Sequence, residues 1–482
     1  MTKADALQGL ERKKDKLFAL SRKIWENPEL QFREWKAVDL YAEALEQEGF
    51  QVTQGLAGMP TAIMGEFGSG KPVIGILGEY DALANLSQEA CVAEKKKMDG
   101  LEDGHGCGHN LLGMGSLAAS IMVKDYLKES GKSGTVRFYG CPAEEGGGGK
   151  CYMVREGCFE GVDLTLTWHP DNMNYIVPTK LLAVISGKFK FKGVAAHASM
   201  SPDLGRSALD AAELMNVGAN FLREHINGNA RIHYAFLNDG GPYPNVVQAE
   251  AELYYTVRAP KLTQAKEIYD RLIKVAEGAA LMTETTTEHK IAAVLAETVT
   301  NIALEKVLHQ NFVQLGPVPV DSQDIAFAEE MRKNLTATDL MYDVNRLELY
   351  HGEAYSDLVR PQIKGKPIID CVYPYKAPEK VFFGSSDVGD VSQVAPCAQL
   401  STACFAQGTP NHTWMVVAQA AAPLANKAAL HAGKVIGSTA IDLIDHPELV
   451  AEAQAEFNRR TNGVKYVSLL PADNQPPVVE RP

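Results

Sequence analysis

The chain carries VIGIL at residues 73–77, TVRFY at 135–139 and VDLTLTW at 162–168, three short apolar runs that predict buried strands. Polar residues follow each run at once, in the segments GEYDAL (78–83), GCPAEEGGGG (140–149) and HP (169–170). In an open α/β sheet, ligands bind just beyond the carboxyl ends of the strands. Asp, Glu and His at three such ends therefore indicate one shared site.

The composition is that of an ordinary soluble globular protein, with 45% hydrophobic and 22% charged residues. A length of 482 residues predicts two domains. The formal net charge of −13 argues against a nucleic-acid partner, for which a basic surface is expected. The polar N-terminal segment predicts no signal peptide, and no apolar run reaches the length of a membrane span. We therefore expect a cytoplasmic protein without a membrane partner.

Alternating strands and helices follow two N-terminal helical patches at 4–26 and 36–49, which predicts an α/β domain. The middle of the chain differs in pattern, with predicted strands at 183–192, 231–237, 246–257 and 284–290 and helices at 206–224 and 262–281. Their order, βαββαβ, is that of a ferredoxin-like module. We therefore predict an α/β domain formed by residues 1–184 and 298–482, interrupted by an inserted domain at 185–297.

Residues 300–380 predict a further insertion, with helical patches at 302–309 and 322–334. The sequence assigns no chemistry to this segment. Beyond it the α/β pattern resumes at Val381, and Pro423–Leu443 predicts a long helix with its proline in the first turn, where proline is tolerated.

The segment GHGCGHN (104–110) places Cys107 and His109 two residues apart between glycines. A thiolate and an imidazole both bind zinc, and glycines let the backbone turn so that both face one ion. The alternative is a loop in which a cysteine and a histidine occur together by chance. On this segment alone, both interpretations stay open.

Further candidate ligands lie elsewhere in the chain. Glu144 and Glu145 follow a predicted strand, where one carboxylate can bind metal while its neighbour moves a proton. His169 stands at another strand end, and His412 lies far along the chain in GTPNHTW (408–414). Asp81 is a candidate ligand or a residue that orients a ligand histidine. Together these side chains suffice for a site with two metal ions.

Two nucleotide-binding motifs and one catalytic motif are excluded. GEFGSGK (65–71) is followed by Pro72 rather than Ser or Thr and precedes a strand, so it is not a P-loop. The four glycines after Glu145 do not form a dinucleotide fingerprint, and no Gly-x-Ser-x-Gly elbow of a serine hydrolase occurs.

The chain resembles the zinc peptidases and amidohydrolases that include aminoacylase, glutamate carboxypeptidase and the plant auxin-conjugate hydrolases. The resemblance runs over nearly the whole chain and is most specific as a set of segments: GEYDAL, HGCGHN, PAEEGGGG, WHP, GVAAHASMSPDLGRSALDA, PNVVQAEAE with YTVRAP, SSDVGDVS and GTPNHTW. It implies an α/β metallopeptidase catalytic domain with an inserted ferredoxin-like lid and dimerisation domain.

The resemblance also implies a role for each matching residue. Glu144 would act as general base and then acid, with Asp81 behind the metal ligands. His197, in the inserted domain, would stabilise the oxyanion in the site of a partner chain. Asn245 and Arg258 would hold the substrate, Arg258 through a carboxylate. The implied metal ligands are Cys107, His109, Glu145, His169 and His412.

Two positions depart from the family pattern. Asn110 stands where the auxin-conjugate branch has Asp after the CGH step, and Glu79 stands where many relatives have His before x-Asp. Glu79 therefore either alters the properties of the site from nearby or is itself part of the site, and the sequence leaves both roles open. Mixed sulfur, nitrogen and oxygen ligands suit zinc, manganese or cobalt, so we expect two divalent metal ions of undetermined identity per chain.

The expected activity is hydrolysis of the amide bond of an N-acyl amino acid with a free carboxylate, with p-aminobenzoyl-glutamate as the leading candidate substrate. A general N-acyl-amino-acid hydrolase, a dipeptidase, or a subunit that needs a heteromeric partner are the alternatives. We expect the inserted domain to form a homodimer or a heteromer with a related subunit.

Overall fold

The computed structural model describes residues 1–177, 180–377, 380–477 and 479–481, so two residues of the predicted 300–380 insertion, 378 and 379, lie outside the described residues. The strands are β1 (Gln51–Gln54), β2 (Ile63–Ser69), β3 (Val73–Glu79), β4 (Gly134–Cys141), β5 (Leu164–Asp171), β6 (Tyr175–Ile176), β7 (Ala183–Lys192), β8 (Arg231–Asn238), β9 (Glu250–Ala259), β10 (Thr286–Leu295) and β11 (Cys397–Ala403).

The helices pack on both faces of the larger sheet and on one side of the smaller one. They are α1 (Lys3–Glu11), α2 (Lys14–Trp25), α3 (Trp35–Gln47), α4 (His109–Ser130), α5 (Gly149–Arg155), α6 (Ala208–Leu222), α7 (Leu262–Thr283), α8 (Ile302–Leu315), α9 (Ser322–Arg332), α10 (Ala337–Leu340), α11 (Tyr342–His351), α12 (Glu353–Ile363), α13 (Val388–Ser392), α14 (Trp414–Gln419), α15 (Pro423–Asp445) and α16 (Pro447–Arg460). In the described ranges, no helix is long and apolar enough to cross a lipid bilayer.

The larger sheet has the strand order β1-β2-β4-β3-β5-β11-β6. Its four central strands, β4, β3, β5 and β11, pair in parallel, so their carboxyl ends meet at one edge. Every residue of β3 is buried, because β3 lies between β4 and β5, packs against α4, and contributes side chains to two separate apolar core clusters. The prediction of buried strands at 73–77 and 135–139 is confirmed, and the strand predicted at 162–168 runs over Leu164–Asp171, so it includes His169 and Pro170.

The smaller sheet has the order β10-β7-β9-β8 and is antiparallel throughout. Two helices, α6 and α7, pack against it, and the order of elements along the chain is βαββαβ. This is the ferredoxin-like arrangement that the sequence predicts, and the fold class of an α/β catalytic unit with such an insertion is confirmed.

Several element boundaries differ from the sequence prediction, and two of the differences have a clear structural cause. The helical patch at 4–26 forms two helices, because the chain turns at Arg12–Lys13, where the Lys13 amide donates to the Leu10 carbonyl at 2.9 Å. The strand predicted at 246–257 begins only at Glu250. The residues before it form a loop, in which the Val247 amide donates to the Ala196 carbonyl at 2.9 Å instead of continuing the ladder.

The segment between β10 and β11 is mostly helical and packs closely against the larger sheet. Its buried Arg346, on α11, donates to both carboxylate oxygens of Asp171 at 2.6 and 2.8 Å. Asp171 is the last residue of β5. Both bonds come from Nη2, and this buried, charge-assisted contact holds α11 against the carboxyl edge of the sheet.

Helices α4 and α15 cross at two glycines. A Cβ at Gly433 would lie 2.7 Å from the Gly115 carbonyl oxygen and 2.9 Å from the Ala118 Cβ. Backbone atoms cannot move aside as a flexible side chain can. The crossing therefore requires glycine at 433, and it fixes α4, whose first residue is His109.

We predict that Gly433→Ala lowers the free energy of unfolding by about 1–3 kcal/mol, because the added methyl group overpacks the crossing. The matched control is Gly278→Ala, since Gly278 also lies inside a helix but has no neighbour within 4 Å of an added Cβ. We expect the control to be stabilised by about 0.5–1 kcal/mol. Denaturant unfolding measures both changes, and equal effects at the two glycines would contradict the packing argument.

Candidate metal centre

The carboxyl edge of the larger sheet collects the candidate side chains. Glu79 ends β3, and Asp81 follows it; Glu144 and Glu145 follow β4. His169 lies near the end of β5. The remaining candidates come from a loop that leads into α4 and a loop after β11: Cys107, His109 and His412.

The donor atoms of these residues lie close enough to one another to bind a common metal ion. The Cys107 sulfur is 3.4 Å from His169 Nε2, and His412 Nε2 is 3.5 Å from Glu145 Oε1. His109 Nε2 lies 4.0 Å from the same Glu145 oxygen. They form two triads that share the Cys107 sulfur: Cys107, His109 and His169, and Cys107, Glu145 and His412.

Asp81 holds two of the candidate ligands in place. Its side chain is fully buried, one oxygen lies 2.9 Å from His109 Nδ1, and the other accepts from the Glu145 amide at 2.9 Å. With Nδ1 occupied by this bond, His109 directs Nε2 into the cluster. Burial opposes ionisation of Asp81, but His109, the Glu145 amide and Lys150 together outweigh burial and lower the Asp81 pKa below its usual value.

The turn that presents Glu144 and Glu145 is anchored from below by Glu34. Ala143, the residue before them, has a φ of 59°, which is the left-handed region that a non-glycine residue avoids. The Ala143 amide donates to Glu34 Oε1 at 2.9 Å. Burial, with Asp81 nearby, raises the pKa of Glu34 to about 8. A neutral Glu34 thus supports the turn without adding charge beside the ligands.

The donor set fits divalent cations. His109 Nε2 and Glu145 Oε1 are buried, and neither has a hydrogen-bond partner among the described residues. Burial and the nearby Glu145 raise the pKa of the Cys107 thiol. A cation in contact with the sulfur would favour the thiolate and would satisfy both orphaned atoms. Sulfur, imidazole and carboxylate donors together are the set that zinc and related ions bind.

Glu79 lies closer to His109 than Glu145 does. Its Oε2 is 3.3 Å from His109 Nε2, and its Oε1 is 2.6 Å from the Lys150 ammonium. Lys150 is itself fully buried and reaches Asp387 at 2.7 Å. Burial opposes ionisation of Glu79, but Lys150 and His109 lower the Glu79 pKa, so the carboxylate stays charged beside the cluster.

Of the two adjacent glutamates, Glu145 is bonded to Asp81 through its amide, whereas Glu144 is not. Glu144 Oε1 accepts a hydrogen bond from Ser386 Oγ at 2.9 Å. Burial and the charges of Glu79 and Asp387 raise the Glu144 pKa well above its usual value. Glu144 therefore accepts a proton more readily than an ordinary glutamate does, which suits a residue that must take up and return a proton.

The three substrate-binding candidates differ in how buried they are and in what they contact. Arg258 is half-buried, donates to Ser385 Oγ at 2.6 Å, and has no carboxylate partner among the described residues. His197 lies in the loop between β7 and α6, and Asn245 lies in the loop between β8 and β9; both are exposed, and the Ala198 amide joins the two loops by donating to the Asn245 carbonyl at 3.0 Å. In the described part of the chain, neither side chain forms a hydrogen bond or ion pair with the cluster.

The His412 loop is held by the insertion between β10 and β11. The Gly408 amide donates to Asp343 Oδ2 on α11 at 2.9 Å, and the His412 amide donates to the Gly106 carbonyl at 3.1 Å. His412 has a φ of 58° and a side chain that is 53% exposed. The insertion thus supports a ligand loop, a role that the sequence did not indicate.

Four residues of the site are not candidates from the sequence: Glu34, Lys150, Ser386 and Asp387. Lys150 follows the glycine run directly, and the serine and the aspartate lie in SSDVGDVS. A lysine after glycines usually faces solvent, so its burial beside two carboxylates has no local signal. The segment SSDVGDVS carries no signal of its own apart from the family resemblance.

We predict that Asp81→Ala weakens divalent metal binding about 10- to 100-fold, because His109 and Glu145 lose the group that orients them. The matched control is Asp163→Ala, since Asp163 accepts from the Val73 amide at 2.7 Å at the opposite end of β3. Chelator competition and elemental analysis measure the affinity, and circular dichroism checks the fold. Unchanged affinity in the Asp81 variant would rule out this orienting role.

Comparison with known proteins places the chain in a family. The model of peptidase family M20/M25/M40 matches residues 75–333. The chain is 45% identical over 457 residues, 95% of each chain, to one subunit of the p-aminobenzoyl-glutamate hydrolase of Escherichia coli. It is 26% identical to mouse Xaa-Arg dipeptidase, over 95% of this chain and 92% of the relative.

A solved structure shares the fold. It is a dinuclear metal binding peptidase of the M20 family from Bacillus subtilis, with a TM-score of 0.58 and 18% identity, and the likeness covers 90% of this chain and 99% of that one. The family match and the 45% identity over 95% of the chain carry the assignment. The chain belongs to peptidase family M20/M25/M40 and is a metal-dependent hydrolase.

Proposed function

We propose that this chain hydrolyses the amide bond of p-aminobenzoyl-glutamate, releasing p-aminobenzoate and glutamate. The observation that carries the proposal is that Glu144 lies close to the donor cluster and that Arg258 lies near Glu144. The two side chains bond adjacent residues, because Arg258 donates to Ser385 and Glu144 accepts from Ser386. The name of the Escherichia coli relative supports this choice of substrate.

Two divalent ions per chain, zinc or manganese, are part of the proposal. The two donor triads that share Cys107 would hold them, and the mixed donor set accommodates either metal. Ions bound there would polarise the amide carbonyl and lower the pKa of water.

Glu144 carries the proton in the proposed reaction. It takes a proton from the attacking water and then donates that proton to the nitrogen of the leaving amine, so one carboxylate serves both steps. Its hydrogen bond from Ser386 and its raised pKa support this role.

Arg258 is proposed to bind the substrate carboxylate. A half-buried guanidinium without a carboxylate partner among the described residues is available for an anion, and its planar donors suit a carboxylate. Asn245 would assist at the same end of the substrate. This assignment explains why a free carboxylate, such as that of glutamate, is expected in the substrate.

A second, related chain is proposed to complete the site through the inserted domain, whose proposed bounds are 185–297. Apolar side chains are exposed on α6 and α7, among them Phe221 (67%), Leu281 (81%) and Met282 (67%), which fits a covered face. Docking there would let the exposed His197 reach the partner's site and stabilise its oxyanion. The relative's name, which designates one of several subunits, favours a heteromer over a homodimer. The cytoplasmic location stays a prediction.

A dipeptidase is the second candidate, since the mouse Xaa-Arg dipeptidase matches 95% of this chain. Both reactions break an amide bond next to an amino acid with a free carboxylate. They differ in the side chain of that amino acid, so parallel assays with p-aminobenzoyl-glutamate and Xaa-Arg dipeptides distinguish them.

We expect the purified chain to contain close to two divalent ions and to hydrolyse p-aminobenzoyl-glutamate, alone or after addition of a related chain. Glu144→Ala should lower turnover about 100- to 10,000-fold with metal content unchanged, because the proton carrier is lost. Glu156→Ala is the matched control, since Glu156 is an exposed glutamate paired with Arg155. Retained turnover in Glu144→Ala would exclude this mechanism, and no bound metal after resupply would exclude the site.

We expect Arg258→Met to lower kcat/KM about 10- to 100-fold for substrates with a free carboxylate, the loss expected for a hydrogen bond to a charged group. The same variant should not affect the corresponding amidated substrates, which the wild type should hydrolyse poorly. Arg271→Met is the control, since Arg271 is partly exposed and, among the described residues, bonds the His225 carbonyl and no carboxylate. Equal wild-type rates on both forms of the substrate would count against carboxylate recognition.

A further inference from the structure

Three consecutive side chains, Ser385, Ser386 and Asp387, each engage a different part of the site. Ser385 Oγ accepts from Arg258 at 2.6 Å, and Ser386 Oγ donates to Glu144 at 2.9 Å. Asp387 binds Lys150 at 2.7 Å, which in turn binds Glu79. Consecutive Cα atoms are only about 3.8 Å apart, so this tripeptide links groups from four separate places in the chain.

The tripeptide is itself rigidly held. Asp387 is fully buried, and its second oxygen accepts from the Lys150 amide at 3.0 Å. Immediately after it, α13 begins, and Asp390 in that helix accepts from the Ala296 amide at 2.8 Å. Both serines therefore extend from a backbone that is held on its C-terminal side by buried contacts.

The two serine contacts differ in what they restrain. Arg258 belongs to the smaller sheet and has a long side chain with many rotamers, so one hydrogen bond at its end restricts where the guanidinium points. Glu144 lies in the turn after β4, and its Oε1 accepts from the Ser386 hydroxyl, whereas Oε2 has no hydrogen-bond partner among the described residues. A proton carrier must be held within hydrogen-bond reach of the reacting atoms.

We propose that Ser385 and Ser386 are positioning residues, one for the arginine that binds the substrate carboxylate and the other for the carboxylate that carries the proton. This inference rests on the proposed function, because it assigns Arg258 and Glu144 the roles given there. Because the two hydroxyl groups are on adjacent residues, they set the distance between the Arg258 guanidinium and the Glu144 carboxylate.

The two serines predict opposite kinetic signatures. Ser386→Ala should lower kcat about 10-fold with KM within about twofold of wild type, since Glu144 is present but less well oriented. Ser385→Ala should raise KM about 10-fold with kcat nearly unchanged, since only substrate binding is affected. Threonine at either position keeps the hydroxyl, so Ser386→Thr and Ser385→Thr should recover most of the loss.

The matched control is Ser392→Ala, which removes a hydroxyl from the same segment. Ser392 Oγ accepts from the Val299 amide at 2.8 Å and donates to the Gly389 carbonyl at 2.6 Å, away from the reacting groups. We expect this variant to be less stable but to keep both kinetic constants. Metal content should match wild type in all of these variants.

The experiment is a steady-state analysis of these variants with p-aminobenzoyl-glutamate, in the preparation in which the wild type turns over. A double variant tests whether Ser385 acts through Arg258: Arg258→Met with Ser385→Ala should have the KM of Arg258→Met alone. A further rise in KM would mean that Ser385 contacts the substrate itself, and the inference would be overturned. If an alanine variant does not fold, the corresponding cysteine variant, with a weaker donor, replaces it.

Failure of the inference differs from failure of the proposed function. If Glu144→Ala and Arg258→Met behave as proposed while both serine variants keep wild-type constants, the inference alone is wrong. If the wild type does not hydrolyse p-aminobenzoyl-glutamate, alone or with a related chain, the proposed function fails; if Glu144→Ala keeps its turnover, the proton-carrying role of Glu144 fails, and with it the role given to Ser386. Loss of kcat in Ser392→Ala equal to that in Ser386→Ala would also overturn the inference, because it would indicate a general effect of the segment.

Discussion

The Asp81 carboxylate ties together two of the segments that carry candidate ligands, through His109 Nδ1 on one side and the Glu145 amide on the other. It occupies this position because β3 ends two residues earlier, between β4 and β5, so the loops on both sides of it converge there. Burying an ionised carboxylate costs free energy, and hydrogen-bond partners such as these offset that cost. The order of the parallel strands thus determines where Asp81 lies, and the position of Asp81 determines how the candidate ligands are oriented.

A second constraint is electrostatic. Glu79, Asp81, Glu144 and Asp387 are carboxylates packed into one low-dielectric region, and Lys150 is the buried ammonium group that contacts two of them. Such a concentration of negative charge is costly unless cations offset it. Lys150 offsets part of the charge from within the chain and keeps Glu79 ionised beside His109. The remaining negative charge favours divalent ions, as the donor chemistry does.

Much of the larger sheet could be predicted from sequence because its central strands are short, apolar and followed at once by polar residues. The strand ends therefore identified Asp81, Glu145 and His169 together. Cys107 and His412 were harder, since a loop residue has no periodicity, and the family resemblance supplied what the pattern could not. Lys150 and Ser386 were not predicted, because their role comes from tertiary contacts with Asp387 and Glu144, residues that are remote in sequence. The helices between β10 and β11 were likewise predicted only in part, since the link from Asp343 to Gly408 has no local signature.

The five candidate ligands are spread from residue 107 to residue 412, and the loops that carry them are joined to the central helices and the main sheet. An unfolded chain would bring no two of the distant ligands together, so cations would bind the native state almost exclusively. By linkage, the free energy of ion binding then adds to the stability of the whole catalytic unit and not only to its loops. The midpoint of thermal unfolding should consequently depend on the concentration of free metal ion, which makes metal supply a determinant of how long the folded protein persists.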